Sequence, residues 1–251
     1  MNARVQSLAF RGWWEERATA AREARRYARI FGRNAASVAG LGLVVAFLLI
    51  ALVGPWIVPY PEDATGTVHL DRKLEAPSRA HWFGTDEVGD DVYTRVVLGA
   101  RLSLQIGLVI TLVAATIGVP LGVVAGYVRL VQGKALAISQ ESYVEAARAV
   151  GVGRLRIAFV HLLPNCLSPI LVKASMDMGT AILTAASLGF IGLGAQPPFP
   201  EWGAMISHGR NYLPTWWWYS AFPGLAIYLT VLGFNLLGDG LRDVLDPKSQ
   251  S

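Results

Sequence analysis

Few side chains in this 251-residue sequence have the spacing of a catalytic or metal-binding site. Its four histidines (His69, His81, His161 and His208) are far apart and lack the spacing of metal ligands. Neither a G-x-S-x-G element nor a G-x-x-x-x-G-K-[ST] phosphate loop occurs. The single Cys166 excludes an intrachain disulfide and a cysteine-rich metal centre. The sequence therefore argues against a membrane-embedded enzyme, and we expect no catalytic residue, no metal site and no cofactor bound by this chain.

One acidic run leaves two interpretations open. Asp86, Glu87, Asp90 and Asp91 lie close together in the sequence. Four carboxylates within six residues suggest a cation site, but they lack the alternating spacing of a calcium loop. The more conservative interpretation, which we favour, is that these residues start a helix and line a loop surface.

The composition predicts a membrane protein. Hydrophobic residues make up 53% of the chain, charged residues only 16%, and the mean hydropathy is +0.41. Soluble domains carry about 25% charged residues, and a membrane-crossing helix needs about 20 mostly apolar residues. We predict an all-α integral membrane protein, a polytopic helical bundle within residues 35–246. Its four predicted transmembrane helices cover residues 35–53, 102–128, 168–193 and 219–237.

Basic residues predict how these spans are oriented. The first 34 residues contain eight Arg and three Glu, whereas segment 54–100 contains four basic and eight acidic residues. Segment 129–163 is again basic, with five basic and two acidic residues. Because basic loops stay in the cytoplasm, we expect an extracytoplasmic loop at 54–101 and a cytoplasmic loop at 129–164. Both termini, including the tail 247–251, are then cytoplasmic in a multi-pass protein of the cytoplasmic (inner) membrane.

The N-terminal arm, residues 1–34, contains a basic helix candidate at 13–33. Trp13 and Trp14 are typical of a helix that lies on the lipid surface. Anionic lipid retains such basic arms at the cytoplasmic face. We therefore expect membrane lipid, and no nucleic acid, as the partner of this arm.

Small residues at a spacing of four predict where helices approach closely, because backbones in lipid associate through such positions. Two candidate packing faces occur in the second and third predicted spans: Gly118, Gly122 and Gly126, and Ala181, Ala185 and Gly189.

The third predicted span contains an acidic residue, Asp177, one turn after Lys173. A charge inside a span often marks a transport pathway. The alternative, which we favour, is a local ion pair at a spacing of four residues near the interface.

The loop between the second and third spans contains the most informative motif. Residues 141–164 read ESYVEAARAVGVGRLRIAFVHLLP. Residues 142–150 predict a short helix, and Gly151 permits the chain reversal that ends it. Glu145 and Arg148 lie three residues apart and therefore share one side of that helix. A short helix between two spans can insert into a groove of a soluble partner.

This loop resembles the EAA motif of ATP-binding cassette (ABC) importer permeases, in which EAA is followed by a glycine and then by I-x-L-P. His161 replaces the isoleucine, and the other anchor positions match. The blocks HWFGTDEVGDDVYTRVVLGARLSL and FPGLAIYLTVLGFNLLGDGLRDVLDP are also similar to the C-type permease subunit of dipeptide and oligopeptide importers. The resemblance covers most of residues 35–248. Two further positions differ: Asp90 stands where the family usually has arginine, and Ala185 where many members are acidic.

The resemblance implies a fold of the ABC importer permease type, with a cytoplasmic coupling helix that docks onto an ATPase. It also implies a peptide-importing function and the partners of such an importer. These are a homologous second permease subunit, two ABC ATPase subunits or domains that bind ATP and Mg²⁺, and an extracytoplasmic solute-binding protein. The residues that it assigns to ATPase coupling are Tyr143, Glu145, Ala146, Ala147, Arg148, Gly151, Leu163 and Pro164.

The chain is shorter than the family pattern, which usually has six spans. The second span passes directly into the coupling loop near Tyr127, as if a hairpin of two spans were missing. Removing a pair of spans leaves every retained loop on its own side of the membrane. The alternative function is therefore a truncated, non-transporting or regulatory permease homologue.

The orientation can be tested with single cysteines in a Cys166→Ser background. We expect a membrane-impermeant maleimide to label Ser78→Cys in intact cells, and to label Glu145→Cys only after the cells are opened. Labelling of position 145 from outside intact cells would show that the assigned orientation is wrong.

Overall fold

The computed structural model describes residues 26, 28–121, 125–157, 160 and 162–245, and these form helices and loops. Short 3₁₀ helices lie at Pro61–Ala64, Leu70–Arg72 and Arg210–Tyr212. The α-helices within the described residues, in chain order, are α1 (Ala35–Ile57), α2 (Val92–Leu121), α3 (Ala125–Ser139), α4 (Ser142–Ala149), α5 (Arg154–Ile157), α6 (Leu163–Phe190), α7 (Trp202–Gly209) and α8 (Trp218–Leu245).

The first and last long helices, α1 and α8, pack together along a seam of small residues. A Cβ atom at Gly40 would lie 2.6 Å from Leu236 Cβ and 2.6 Å from the backbone nitrogen of Leu237. A Cβ atom at Gly233 would lie 2.9 Å from Leu43 Cβ. No room therefore remains for a side chain at either glycine, and the two backbones approach as closely as glycine allows.

Helix α6 lies at the centre of the bundle and contacts α2, α7 and α8. On its α2 side, Ile182 is 1% exposed and lies 2.6 Å from where a Cβ of Gly107 would stand. On its α8 side, Met176 Cγ lies 2.5 Å from where a Cβ of Gly238 would stand. Helices α2 and α8 thus each present a glycine to a larger side chain of α6.

Three of the helices that the structure describes are both long and apolar enough to cross a membrane: α1, α2 and α8. The prediction of four spans exceeds this number by one. The difference arises at α6, which has 28 residues but includes Lys173 and Asp177 as well as several Ser and Thr residues. These polar side chains lower its hydropathy, although a helix of this length extends about 42 Å at 1.5 Å per residue.

The helix boundaries also differ from those predicted. Helix α2 begins at Val92, ten residues before the predicted start at 102, because the Asp91 side chain caps it by accepting a hydrogen bond from Thr94 N at 2.8 Å. The charge-free criterion excluded this part of the helix because of Arg95 and Arg101. Helix α3 occupies much of the predicted loop 129–164, and α8 continues to Leu245 rather than ending near 237.

The tightest apolar packing surrounds Trp202 at the start of α7. Its side chain is fully buried, and its Nε1–H donates to the carbonyl oxygen of Val96 in α2 at 2.9 Å. The Phe47 ring of α1 meets the Trp202 ring edge-on, with the centroids 6.0 Å apart. One indole thus joins three helices.

Parts of several sequence predictions lie outside the described residues. Most of the N-terminal arm and the tail 247–251 fall there. So do Gly122 and the surroundings of Gly118 and Gly126, so the first small-residue ladder stays a prediction.

The seam between α1 and α8 offers a matched test. We expect Gly40→Ala to lower the free energy of unfolding in detergent by about 1–3 kcal/mol, because the added methyl group overlaps Leu236. A Cβ at Gly42, two residues along the same helix, meets nothing within 4 Å. Gly42→Ala should therefore leave stability unchanged or raise it slightly. Equal stabilities for the two variants would contradict a tight seam at Gly40.

Candidate functional site

Helix α4 contains the predicted coupling residues and is attached to its neighbours by one buried side chain. Val144 is fully buried and packs with Ile138 of α3, Ile157 of α5 and Cys166 of α6. The other residues of α4 are exposed or half-buried. Among the described residues, Val144 is thus the buried side chain that joins α4 to the bundle, and most of the helix surface faces outward.

The end of α4 has the geometry that the sequence predicts for a glycine stop. Gly151 has a φ of +85°, the left-handed region. Its N–H donates to Arg148 O at 3.0 Å, and the N–H of Val152 donates to Ala147 O at 3.0 Å. These two bonds satisfy the last carbonyls of the helix and turn the chain sharply away.

The outward surface of α4 combines charge with apolar groups. Glu145, Ala146 and Arg148 are exposed, and Ala147 is half-buried. Tyr143 is 45% exposed and Val150 is 84% exposed. Such a mixture of aromatic, apolar and charged groups is typical of a surface that a protein partner covers.

A cavity of about 560 Å³ lies beside α4. Arg148, Val152, Ile157 and Leu162 line it. Leu163 and Pro164 are the first residues of α6, but their side chains lie outside the described residues. The residues of the EAA motif thus lie near the start of α6, where Cys166 of α6 contacts Val144 of α4.

Asp177 forms the local ion pair that its spacing predicts. Lys173 Nζ lies 2.7 Å from Asp177 Oδ1, and the two side chains are 34% and 27% exposed. In the second small-residue ladder, Ala181 and Ala185 are buried, and Gly189 lies against the Glu201 side chain.

The acidic run at 86–91 lies in the interior, contrary to the predicted loop surface. Asp86, Asp90 and Asp91 are each 1% exposed. The Arg95 guanidinium donates to Asp86 at 3.1 Å and also to Asp90. Burial raises the pKa of Asp86 to about 6. Burial, and then the neighbouring Asp86 carboxylate, raise the pKa of Asp90 to about 7. Only the helix-start part of the interpretation is correct, through Asp91.

Sequence reasoning missed the polar groups that join the loops to the helices. Glu201 is 2% exposed and caps α7 by accepting from Gly203 N at 2.9 Å and Ala204 N at 2.8 Å. Burial raises the pKa of Glu201 despite these two donors. Trp218 Nε1–H donates to Thr85 O at 3.3 Å. One sequence signal could have predicted the cap of α7: Glu201 lies three residues before Ala204, which is the spacing of a capping residue and the backbone N–H that it accepts from.

Comparison with known proteins was made for the whole sequence. The family described as "Binding-protein-dependent transport system inner membrane component" matches residues 42–251. The chain is 40% identical to the probable D,D-dipeptide transport system permease protein DdpC of Escherichia coli, over 82% of this chain and 86% of that protein. It is 37% identical to the dipeptide transport system permease protein DppC of Alkalihalophilus pseudofirmus, over 87% and 88%. It is 38% identical to the glutathione transport system permease protein GsiD of Pectobacterium atrosepticum, over 90% and 92%.

The alignment with one relative shows that this chain lacks residues which the relative contains. The alignment with the E. coli D,D-dipeptide permease extends over 258 positions, more than the 251 residues of this chain, although it includes only 82% of them. That relative therefore contains internal residues with no counterpart here, in agreement with the short passage from α2 to α4.

The matched family, the extent of the identity and the apolar helices lead to one assignment. The chain is a multi-pass inner-membrane permease, is not an enzyme, and acts with an ATPase and a binding protein. It belongs to the family of inner membrane components of binding-protein-dependent transport systems, the permeases of ABC importers.

Proposed function

We propose that this permease imports dipeptides or similarly small peptidic solutes across the cytoplasmic membrane. Its relatives support this solute class, since they are described as permeases for dipeptides, D,D-dipeptides and glutathione. All three are short peptides with a free carboxylate. ATP is hydrolysed by the ATPase, because this sequence contains no phosphate loop.

The observation that carries the coupling proposal is the presentation of α4. Its exposed face combines Glu145 and Arg148 with the apolar Val150, and a cavity opens beside it. In this proposal α4 inserts into a groove of the ATPase. Tyr143, Glu145 and Arg148 contact that groove, and Gly151 sets the direction in which the chain returns to the membrane.

Movement of α4 has a defined path into the bundle. The buried Val144 contacts Cys166 of α6, and α6 packs against α2 and α8 through glycine contacts. A displacement of α4 upon ATP binding therefore displaces α6 through Cys166, together with α3 and α5 through Ile138 and Ile157. Alternating access follows when the two states of the ATPase favour different positions of α6.

We also propose the assembly and its orientation. A second, homologous permease subunit completes the translocation pathway, and two ATPases and an extracytoplasmic solute-binding protein join it. Both termini and α4 face the cytoplasm. Asp177 belongs to the pathway only if that assembly opens the ion pair with Lys173.

Uptake of defined solutes tests the solute class. The chain, expressed with its partner genes in cells that lack dipeptide and glutathione permeases, should restore ATP-dependent uptake of a labelled dipeptide. A parallel strain carries a two-span hairpin from a relative inserted between Tyr127 and Val128. No peptide or glutathione uptake in either strain, with normal membrane insertion, would refute the proposal.

The turn after α4 provides the sharpest test of coupling. We expect Gly151→Val to reduce ATPase co-purification about tenfold or more, because a β-branched residue is strained at a φ of +85°. Gly153→Val is the matched control, since a Cβ at either glycine meets nothing within 4 Å and only Gly151 has a positive φ. Equal ATPase recovery with both variants would contradict this role of the turn.

The exposed face of α4 is tested separately by reversing one charge. Glu145→Lys should weaken ATPase co-purification without changing thermal stability, because the side chain is exposed and no described hydrogen bond depends on it. Glu75→Lys makes the same exchange at an exposed position in the loop assigned to the opposite face. It should leave ATPase recovery unchanged. Loss of ATPase in both variants would point to a general charge effect instead.

A further inference from the structure

Two segments of the loop between α1 and α2 are pressed together by backbone contacts. One segment contains the 3₁₀ helices Pro61–Ala64 and Leu70–Arg72, and the other is residues 85–91. His69 N donates to Val88 O at 2.7 Å, and Asp91 N donates to Asp63 Oδ2 at 2.7 Å. Side chains of the first segment are thereby held against side chains of the second.

The junction contains more buried negative charge than its arginines neutralise. Asp63, Asp86, Asp90 and Asp91 are each at most 1% exposed. Their positively charged or ionisable neighbours are Arg72 and Arg95, together with His69 and His81. Four buried carboxylates against two guanidinium groups leave negative charge that a proton or a bound cation would balance.

Most oxygens of these carboxylates have identified partners. Asp91 accepts from His81 Nδ1–H at 2.9 Å and from Thr94 N. Asp86 accepts from Val88 N and Asp90 N through one oxygen and from Arg95 through the other.

Several buried polar atoms of the junction lack a hydrogen-bond partner, among them Glu87 Oε2, Arg95 Nε, Asp90 Oδ1 and His69 Nε2. Asp90 Oδ1 has none, although Asp90 is 1% exposed, and His69 Nε2 has none either. His69 Nε2 lies 3.3 Å from Asp63 Oδ1, but the arrangement does not form a hydrogen bond. Asp63 Oδ1 accepts from Arg72 Nη2 at 3.4 Å, whereas Asp90 Oδ1 and His69 Nε2 have no hydrogen-bond partner among the described residues.

We propose that Asp63, His69 and Asp90 bind a divalent transition-metal ion. One ligand atom from each residue lies within 4.8 Å of the others. Binding requires these side chains to close around the ion to the bond lengths of about 2.0–2.2 Å that zinc makes to histidine nitrogen and carboxylate oxygen. The His69 side chain is 29% exposed, so an ion can reach the site from solvent beside the imidazole ring.

The ligand types select the class of metal. Calcium and magnesium prefer all-oxygen sites, whereas an imidazole nitrogen with carboxylates suits zinc and its neighbours. Three protein ligands leave a fourth tetrahedral position for water or for a group from a partner. We therefore take Zn²⁺ as the probe ion.

The role of the metal follows from what it connects. Asp63 and His69 belong to the segment after α1, and Asp90 is held by Arg95 of α2. A metal ion at this point cross-links the two segments and fixes the loop to the start of α2. It stabilises the extracytoplasmic loop on which a solute-binding protein would land, and takes no part in chemistry.

The test is a metal titration of the full chain, purified in detergent with a tag that contains no histidine. After the chain is stripped with EDTA, reloaded with Zn²⁺ and desalted, elemental analysis should find about one zinc per chain. His69→Gln and Asp90→Asn should each weaken zinc binding at least about tenfold. Asp71→Asn is the control, because Asp71 is an exposed acidic residue outside the cluster, in the 3₁₀ helix Leu70–Arg72 that directly follows His69.

The variants also separate metal loss from misfolding. His69→Gln replaces a partly exposed ring, so it should elute as a single species even if Asp90→Asn does not. Zinc should raise the melting temperature of the wild type and of Asp71→Asn, but not that of His69→Gln. Failure of the wild type to retain zinc, or equal retention by His69→Gln and Asp71→Asn, would overturn the assignment. Protection by Ca²⁺ or Mg²⁺ without zinc binding would overturn the metal class.

Discussion

Close approach of helix backbones at glycine is the constraint on which the rest of this structure depends. Lipid offers no hydrophobic driving force between helices, so contact must come from packing at short range. Gly40, Gly107, Gly233 and Gly238 each leave no space for a Cβ atom. Such contacts bring α1, α2, α6 and α8 together, and a shared apolar core that includes Val44, Leu104, Ile182 and Phe234 fills the space between them. They also fix the register, because one residue of sliding would place a side chain where only hydrogen fits.

The sequence predicts the helices well because their signal is local. Uncharged runs locate α1 and α8, and the turn chemistry of Gly151 locates the end of α4. Boundaries are less predictable wherever a charge inside a helix is neutralised by a distant residue. Arg95 belongs to α2 because Asp86 and Asp90 pair with it, and no window of local hydropathy contains that information. Lys173 and Asp177 pair with each other inside α6. These two charges lower the hydropathy of a helix that is long enough to cross the membrane.

Two further features could not be predicted because they also depend on residues distant in the sequence: the helix faces that pack together, and the buried acidic cluster before α2. Spacing alone selects Gly118, Gly122 and Gly126, yet the seam described between α1 and α8 uses Gly40 and Gly233. Which glycine meets which partner is a property of the assembled bundle. The acidic run at 86–91 reads as a solvated loop because its partners, His69 and Asp63, lie about twenty residues earlier in the chain and contact it only in the fold.

The two ends of the bundle differ in how firmly they are held, and this difference suits a rocking transporter. At the end that contains Trp202, several buried ionic and aromatic contacts join α1, α2 and α7 with the loop before α2. At the other end, Val144 is the one buried residue among the eight of α4. A buried ion pair resists separation because breaking it leaves uncompensated charge, whereas a single apolar side chain can slide or repack at low cost. If α4 couples to the ATPase as proposed, force applied there moves the lightly held end most, and the end near Trp202 acts as the pivot.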